Sequence, residues 1–194
     1  WAASPWTSSP AAAAKEQSPF VTIFKPLPPL ESDHVPPELA EAIGSFVRLL
    51  DDRSEMLIGL DPRDHARWKP LLASWRAMYP AARLEVVVVA PDPGIANPKI
   101  ARQIRLAPSA RGELWLWSDA DIVAPEGFLD AIRAELAGSG LRALTCPYVI
   151  RSVGTAASLP DVLFVNVEFY PGLLMLRRRG PVSFALGSAI LFHA

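Results

Sequence analysis

Glu113-Leu114-Trp115-Leu116-Trp117-Ser118-Asp119-Ala120-Asp121-Ile122-Val123 is an apolar run that ends abruptly in two aspartates one residue apart. Leu114 to Ser118 has the length of one buried strand, and Pro125 with Gly127 punctuates the chain just beyond the aspartates. The carboxylates are therefore expected where a core strand leaves its sheet. Side chains at i and i+2 of extended chain share a face, about 6.5 to 7 Å apart at the backbone. That bite suits a divalent cation bridging to phosphate oxygens. The same Asp-x-Asp pattern also caps helices on surface loops, and Pro125-Glu126-Gly127-Phe128 reads as a helix start. A carboxylate pair at the carboxyl end of a strand lies where α/β sheets bind ligands, and this favours the functional reading.

Working outward, the neighbouring segments supply the sheet. Phe20 to Phe24 is a β-branched and aromatic strand that stops at Lys25-Pro26-Leu27-Pro28-Pro29. Glu38 to Leu50 carries apolar residues at helical spacing, and Glu55 to Leu60 is a short strand ending at Asp61. A helix is expected from about Ala66 to Met78, packing Trp68, Leu71, Leu72 and Trp75 inward. Leu84 to Ala90 is a continuous run of the kind buried on both faces of a parallel sheet. A helix over about Ile100 to Ala107 leads to the strand with the aspartates. A helix from Phe128 to Ala137 and a strand from Leu141 to Cys146 come next. This alternation predicts right-handed βαβ units and a mostly parallel sheet. Past Pro147 the rhythm breaks, and Leu163 to Tyr170 and Phe184 to Phe192 read as further strand-like segments. Arg177 to Arg179, between them, reads as a solvated turn or as a contact for acidic lipid headgroups or a diphosphate.

Composition bounds the rest. The chain of 194 residues is 51% hydrophobic and 20% charged, enough for one α/β core. With 19 basic against 20 acidic residues, no nucleic-acid-binding surface is expected. The single cysteine, Cys146, cannot form an internal disulfide and reads as a small buried apolar residue. Residues 1 to 18 are rich in Ala, Ser and Pro and read as a disordered arm or linker, leaving 19 to 194 as the domain. No stretch approaches the roughly 18 to 20 consecutive apolar residues of a membrane span, so this segment is expected to be soluble.

Distinctive polar residues come after successive strands: Lys25 and Pro26, Asp61, Asn97 and Lys99, then Asp119 and Asp121. In a parallel sheet those ends share one edge and form one crevice. Carboxylates with a lysine suit a nucleoside diphosphate, the former for ribose and metal and the latter for phosphate charge. Taken singly, Asp61 before Pro62 is also a turn initiator, and Asn97 and Lys99 are also ordinary loop residues.

The order of these pieces resembles the ceramide glucosyltransferases and bacterial hopanoid glycosyltransferases of glycosyltransferase family 21. The matching segments are Phe24-Lys25-Pro26-Leu27, Ile58-Gly59-Leu60-Asp61, Asn97-Pro98-Lys99-Ile100, Trp117-Ser118-Asp119-Ala120-Asp121-Ile122, Pro147-Tyr148-Val149 and Gly187-Ser188. The resemblance runs from about residue 20 onward. It implies a GT-A fold, a Rossmann-like three-layer sandwich, that binds a UDP-sugar with Mg²⁺ or Mn²⁺ and transfers a hexose with inversion to a lipid hydroxyl. By the same resemblance, Asp61 contacts the nucleotide, Lys99 lies near the donor, and Asp119 and Asp121 form the metal-binding DxD. It also implies membrane association of a longer parent, at the cytoplasmic face of a bacterial inner membrane.

The family's general base, a third aspartate, and its (Gln/Arg)-x-x-Arg-Trp segment lie after the region of Gly187-Ser188. No residue before Ala194 matches them, so the chain is expected to be the donor-binding part, with the base beyond residue 194. His193 is the one substitute within the chain. Two other readings stand beside this one. A nucleotidyltransferase would also use strand-end aspartates with metal, but Lys25-Pro26-Leu27-Pro28-Pro29 lacks the glycines of a triphosphate loop. The second is a catalytically inactive relative acting as a binding module.

Overall fold

In a computed structural model, the described residues are 19–139, 142–151, 155–180, 185 and 187–194. The expected arm, residues 1 to 18, lies outside them. The elements run β1 (Val21–Pro26), α1 (Pro37–Val47), β2 (Ser54–Leu60), α2 (His65–Met78), β3 (Arg83–Val88), α3 (Pro98–Leu106), β4 (Leu114–Ser118), α4 (Phe128–Ser139), β5 (Ala143–Thr145), α5 (Leu159–Arg179) and β6 (Ala189–His193). Together the strands make one sheet in the order β3-β2-β1-β4-β6-β5. β1 pairs in parallel with β2 and β4, and β2 with β3. β6 runs antiparallel between β4 and β5. The alternating helices force this result, because a parallel strand pair needs a crossover long enough to return the chain.

Side-chain alternation along the strands builds the layers. Val21, Ile23, Met56, Ile58, Leu114 and Leu116 point to one face, where they meet Ile43 and Phe46 of α1, Trp68, Leu72 and Trp75 of α2, and Ile132 of α4. Phe24 and Leu57 point to the other face, where Leu106 of α3 covers them beside Trp115 and Trp117. Each fully buried aliphatic or aromatic side chain contributes roughly 2 kcal/mol, so the central strands anchor the sandwich. The amino-terminal edge of the sheet is closed by a polar network. Gly112 N donates to Thr22 Oγ1 (2.8 Å), Thr22 Oγ1 to Glu55 Oε1 (2.7 Å), and Arg111 N to the same oxygen (2.8 Å).

Several expectations are corrected here. Leu163 to Tyr170 is not a strand but the middle of α5, whose Phe164–Phe169 stretch winds as a π-helix between α-helical ends. Its alternating aromatic and β-branched residues mimic a strand. Pro171 lacks a backbone N–H, and the wider turns before it absorb the lost bond. Arg177 to Arg179 form the last turn of that helix. By length and composition, the 21-residue α5 is also apolar enough to cross a membrane, contrary to the expectation of no such segment. β3 is an edge strand, exposed at both ends and only partly buried between, rather than covered on both faces. β1 continues through Lys25 and Pro26. Of the expected strand at Phe184 to Phe192, the structure has β6 from Ala189, while Phe184 lies outside the described residues. Cys146 is partly buried against the core, and that burial pushes its thiol up to about 11.

Candidate donor-binding site

The carboxyl ends of β1, β2, β3 and β4 lie along one edge, with Asp61 just past β2 and Asp119 just past β4 on either side of β1. Two strand spacings separate those ends, about 10 Å. The reversal of strand order between β1 and β4 opens the crevice there, as in other doubly wound sheets.

β4 ends at Ser118, and the chain then turns, with Ile122 N donating to Asp119 O at 3.4 Å. Asp119 and Asp121 are thus not on extended chain, and the expected same-face spacing does not apply. The turn is held by Lys25, whose side chain is completely buried at the end of β1. Its Nζ donates to Ser118 Oγ (2.9 Å) and to the carbonyls of Asp119 (2.7 Å) and Ile122 (3.5 Å). It also sits 3.7 Å from the centroid of the Phe46 ring. Burial lowers the Lys25 pKa well below its usual value, and Asp121 and Asp119 act against that shift. Both carboxylates therefore lie near this ammonium. The turn is further fixed by Asp119 N, which donates to Ser188 O at 2.9 Å. That bond brings Gly187-Ser188 to the site.

Lys99 arrives from α3. Asn97 caps the helix by accepting from Lys99 N (3.0 Å) and Ile100 N (3.4 Å), and Pro98 occupies the first turn, where its missing N–H costs nothing. The cap aims the first turn at the rim, and Lys99 Nζ pairs with Asp119 Oδ1. Asp121 is exposed and makes no hydrogen bond or ion pair with a described residue.

Asp61 is only 2% exposed. Arg63 grips it with Nε on Oδ1 (3.0 Å) and Nη2 on Oδ2 (3.1 Å), and Arg102 Nη2 lies 3.7 Å from Oδ2. The hydrogen bonds from Arg63 hold this carboxyl below the usual carboxylate range. Asp61, Arg63 and Arg102 line a cleft of about 210 Å³ together with Pro29, Pro98 and Asp92.

The predicted residues therefore divide into three groups. Lys99, Asp119 and Asp121 stand partly or fully exposed at the rim, and the buried Asp61 lines the cleft beside it. Lys25 and Pro26 are buried beneath the rim, and Asn97 shapes α3 through its cap. Arg63, Arg102, Ser118 and Phe46 were missed. The sequence did hold a signal for Arg102, because three residues after Lys99 on a helix puts both on one face. His193 pairs with Leu114 at the start of β4, so it lies at the opposite edge of the sheet and is no substitute base for this rim.

Two carboxylates with hard oxygen donors suit Mg²⁺ or Mn²⁺. Among the described residues, no three His, Cys, Asp or Glu side chains cluster to hold a metal. A cation here would need further oxygens from a bound diphosphate.

A family model for glycosyl transferases of family 21 matches residues 2–194. The chain belongs to glycosyl transferase family 21. No curated protein matches this family 21 chain. Among solved structures, it is similar to the mannosyltransferase PcManGT from Pyrobaculum calidifontis, in complex with GDP-Man and Mn²⁺, at 19% identity and a TM-score of 0.59 over 98% of this chain. It is also similar to S. aureus TarS 1-349, at 17% identity and a TM-score of 0.51 over 72% of this chain. TarS 1-349 in complex with UDP-GlcNAc gives 16% identity and a TM-score of 0.50, again over 72% of this chain. The fold is thus GT-A. The family 21 chain spans 48% of the mannosyltransferase, 39% of TarS and 38% of TarS in its UDP-GlcNAc complex.

Proposed function

We propose that this chain is the donor-binding part of an inverting glycosyltransferase that moves a hexose from a UDP-sugar to a lipid hydroxyl. The observation that carries the reading is the placement of Lys99, Asp119 and Asp121 at one sheet edge, with Asp61 past the neighbouring end of β2 in a cleft of about 210 Å³. The GDP-Man and UDP-GlcNAc bound by the similar structures support a nucleotide-sugar donor, and the Mn²⁺ of the first supports a divalent cation.

Asp61 and the arginines beside it hold the nucleoside end of the donor. Asp119 and Asp121 would hold Mg²⁺ or Mn²⁺, and Lys99 adds a positive charge on the phosphate side. When bound, the cation stabilises charge gathering on the leaving diphosphate. The acceptor hydroxyl oxygen bonds to the anomeric carbon as the bond from that carbon to the diphosphate oxygen breaks. The hydroxyl proton passes to a general base. By the family pattern, that base comes from outside residues 1 to 194. The reaction takes place at the cytoplasmic face of a membrane.

Calorimetric titration with UDP, with and without Mn²⁺, tests the reading. Binding should strengthen at least about tenfold with Mn²⁺, and Asp121→Ala should abolish that gain. Binding that ignores the metal and survives Asp121→Ala would overturn it.

A further inference from the structure

α5 is an apolar helix that neither the core nor the donor rim uses. Its 21 residues have a mean hydropathy of 1.3 over the most apolar window, yet only 6% of that window is buried. Leu159, Leu163 and Val167 recur at four-residue intervals and line one stripe, with Val167 68% exposed. Phe164 and Met175 are also more than half exposed. α1 and α4, by contrast, turn their apolar stripes into the core. All three basic residues of α5 gather in its last turn: Arg177, Arg178 and Arg179. Its acidic residues, Asp161 and Glu168, stand earlier in the helix.

We infer that α5 is a membrane-docking helix that lies in the headgroup plane of an anionic bilayer, its apolar stripe in the acyl boundary and Arg178 and Arg179 on lipid phosphates. The topology sets this orientation. α5 is inserted between β5 and β6, neighbouring strands of one sheet, so both flanks return to the same body. Asn166, in mid-helix, exchanges two 2.8 Å hydrogen bonds with the backbone of Ile150, and Arg177 reaches Glu135 of α4 at 2.8 Å. A spanning helix would drag one flank back through hydrocarbon, where backbone groups outside helix or closed sheet go unpaired. A helix lying flat meets no such penalty and buries its apolar face 5 to 10 Å deep.

Charge selects the occupant. Grouped arginines beside exposed Leu, Phe and Met match an acidic lipid surface, since arginine stems lie along apolar surface while their guanidiniums reach phosphate. Arginines in a last turn also favour a helix by opposing its dipole, but that role asks for no exposed apolar stripe. The surface has a consequence for the rim. β6 comes directly after α5 in the element order, and Ser188, the residue before β6, accepts the hydrogen bond from Asp119 N, so a docked α5 holds the donor site close to membrane hydroxyls.

Cosedimentation of the 194-residue chain with vesicles tests this, using phosphatidylcholine alone and phosphatidylcholine with about 30% phosphatidylglycerol. The chain should bind the anionic vesicles about tenfold more strongly than the neutral ones and lose binding as salt rises. Arg178→Gln with Arg179→Gln, on an exposed turn that the fold does not need, should weaken binding about fivefold per arginine. Leu163→Gln with Val167→Gln should weaken it on both vesicle types. Inorganic phosphate, added at constant ionic strength, should not release the protein.

Absent binding, equal binding to both vesicles, indifference to both double variants or release by phosphate would overturn the inference. So would a dimer that forms through α5 and ignores vesicles. UDP titration of the same samples reads the donor site separately. Vesicle binding without UDP binding sinks only the proposed function, and the reverse sinks only this inference.

Discussion

Lys99 Nζ and Asp119 Oδ1 form an ion pair across the donor rim, tying the first turn of α3 to the residue just past β4. Each side chain is about a third exposed, so the pair contributes little to stability, on the order of 0.5 kcal/mol. Its importance lies in the site. The lysine occupies the carboxylate that a divalent cation would use.

Lys99→Met should therefore affect the two ligands in opposite directions. Affinity for Mn²⁺ alone should rise about threefold as Asp119 is released, while affinity for UDP in saturating Mn²⁺ should fall about tenfold with the lost phosphate contact. Calorimetry of each ligand separately checks this, and parallel changes in both would contradict it.

Lys25→Met should act on the floor of the site. The substitution leaves Ser118 Oγ and the carbonyls of Asp119 and Ile122 without their shared donor. Stability should drop by about 1 to 3 kcal/mol. Metal-dependent UDP binding should fall as well, because the turn carrying both aspartates loosens. Lys25→Arg should not rescue either property, since a planar guanidinium cannot fit a completely buried ammonium site. Urea denaturation alongside UDP titration gives both readouts.

Gly112→Ala probes the opposite edge of the sheet. A Cβ there would lie 2.6 Å from Thr22 N and 2.8 Å from Phe20 O, and backbone atoms of a central strand cannot move aside. The loss should be about 3 kcal/mol, read as a fall in the urea midpoint. UDP affinity of the folded fraction should be unchanged.

Acid should weaken the fold through Asp51. Burial works against this carboxylate, but hydrogen bonds from Arg133 and Ser54 outweigh it and hold its pKa below the ordinary range. A depressed carboxyl pKa adds stability that is complete above the unfolded value, ~3.9, and is lost as pH falls through the folded value. Asp51→Asn should cost about 1 kcal/mol at neutral pH, the figure being modest because the carboxylate is partly exposed. Its urea midpoint should also vary less than that of the wild type between about pH 5 and pH 2. Asp61 contributes in the same direction.

The parallel half of the sheet was readable because its strands are apolar, short and separated by helices of clear period. The rim was readable for the same reason, since residues just past successive parallel strands share an edge. Contacts across long separations were not. Nothing local to Lys25 says that it reaches 94 residues ahead to the Asp119 carbonyl. Nor does Asp61 reveal that Arg102, 41 residues on, comes within 3.7 Å of it. α5 was misread because Val165, Val167 and Phe169 alternate like a strand while Pro160 and Pro171 argue against a helix. The chain solves this by placing Pro160 in the first turn and winding wide before Pro171.

The placement of β6 between β4 and β5 has a consequence for biosynthesis. Ala143–Thr145 leaves the ribosome well before Ala189–His193, the only described segment that ladders to it, so β5 stays unpaired while some 45 residues are added, and the flank of β4 stays open for some 70. At translation speeds of roughly 5 to 20 residues per second, that interval lasts a few seconds. By its end the nascent chain presents an unpaired strand flank together with the apolar residues of α5. A ribosome-proximal chaperone, or the early docking of α5 itself, would find its substrate in that window.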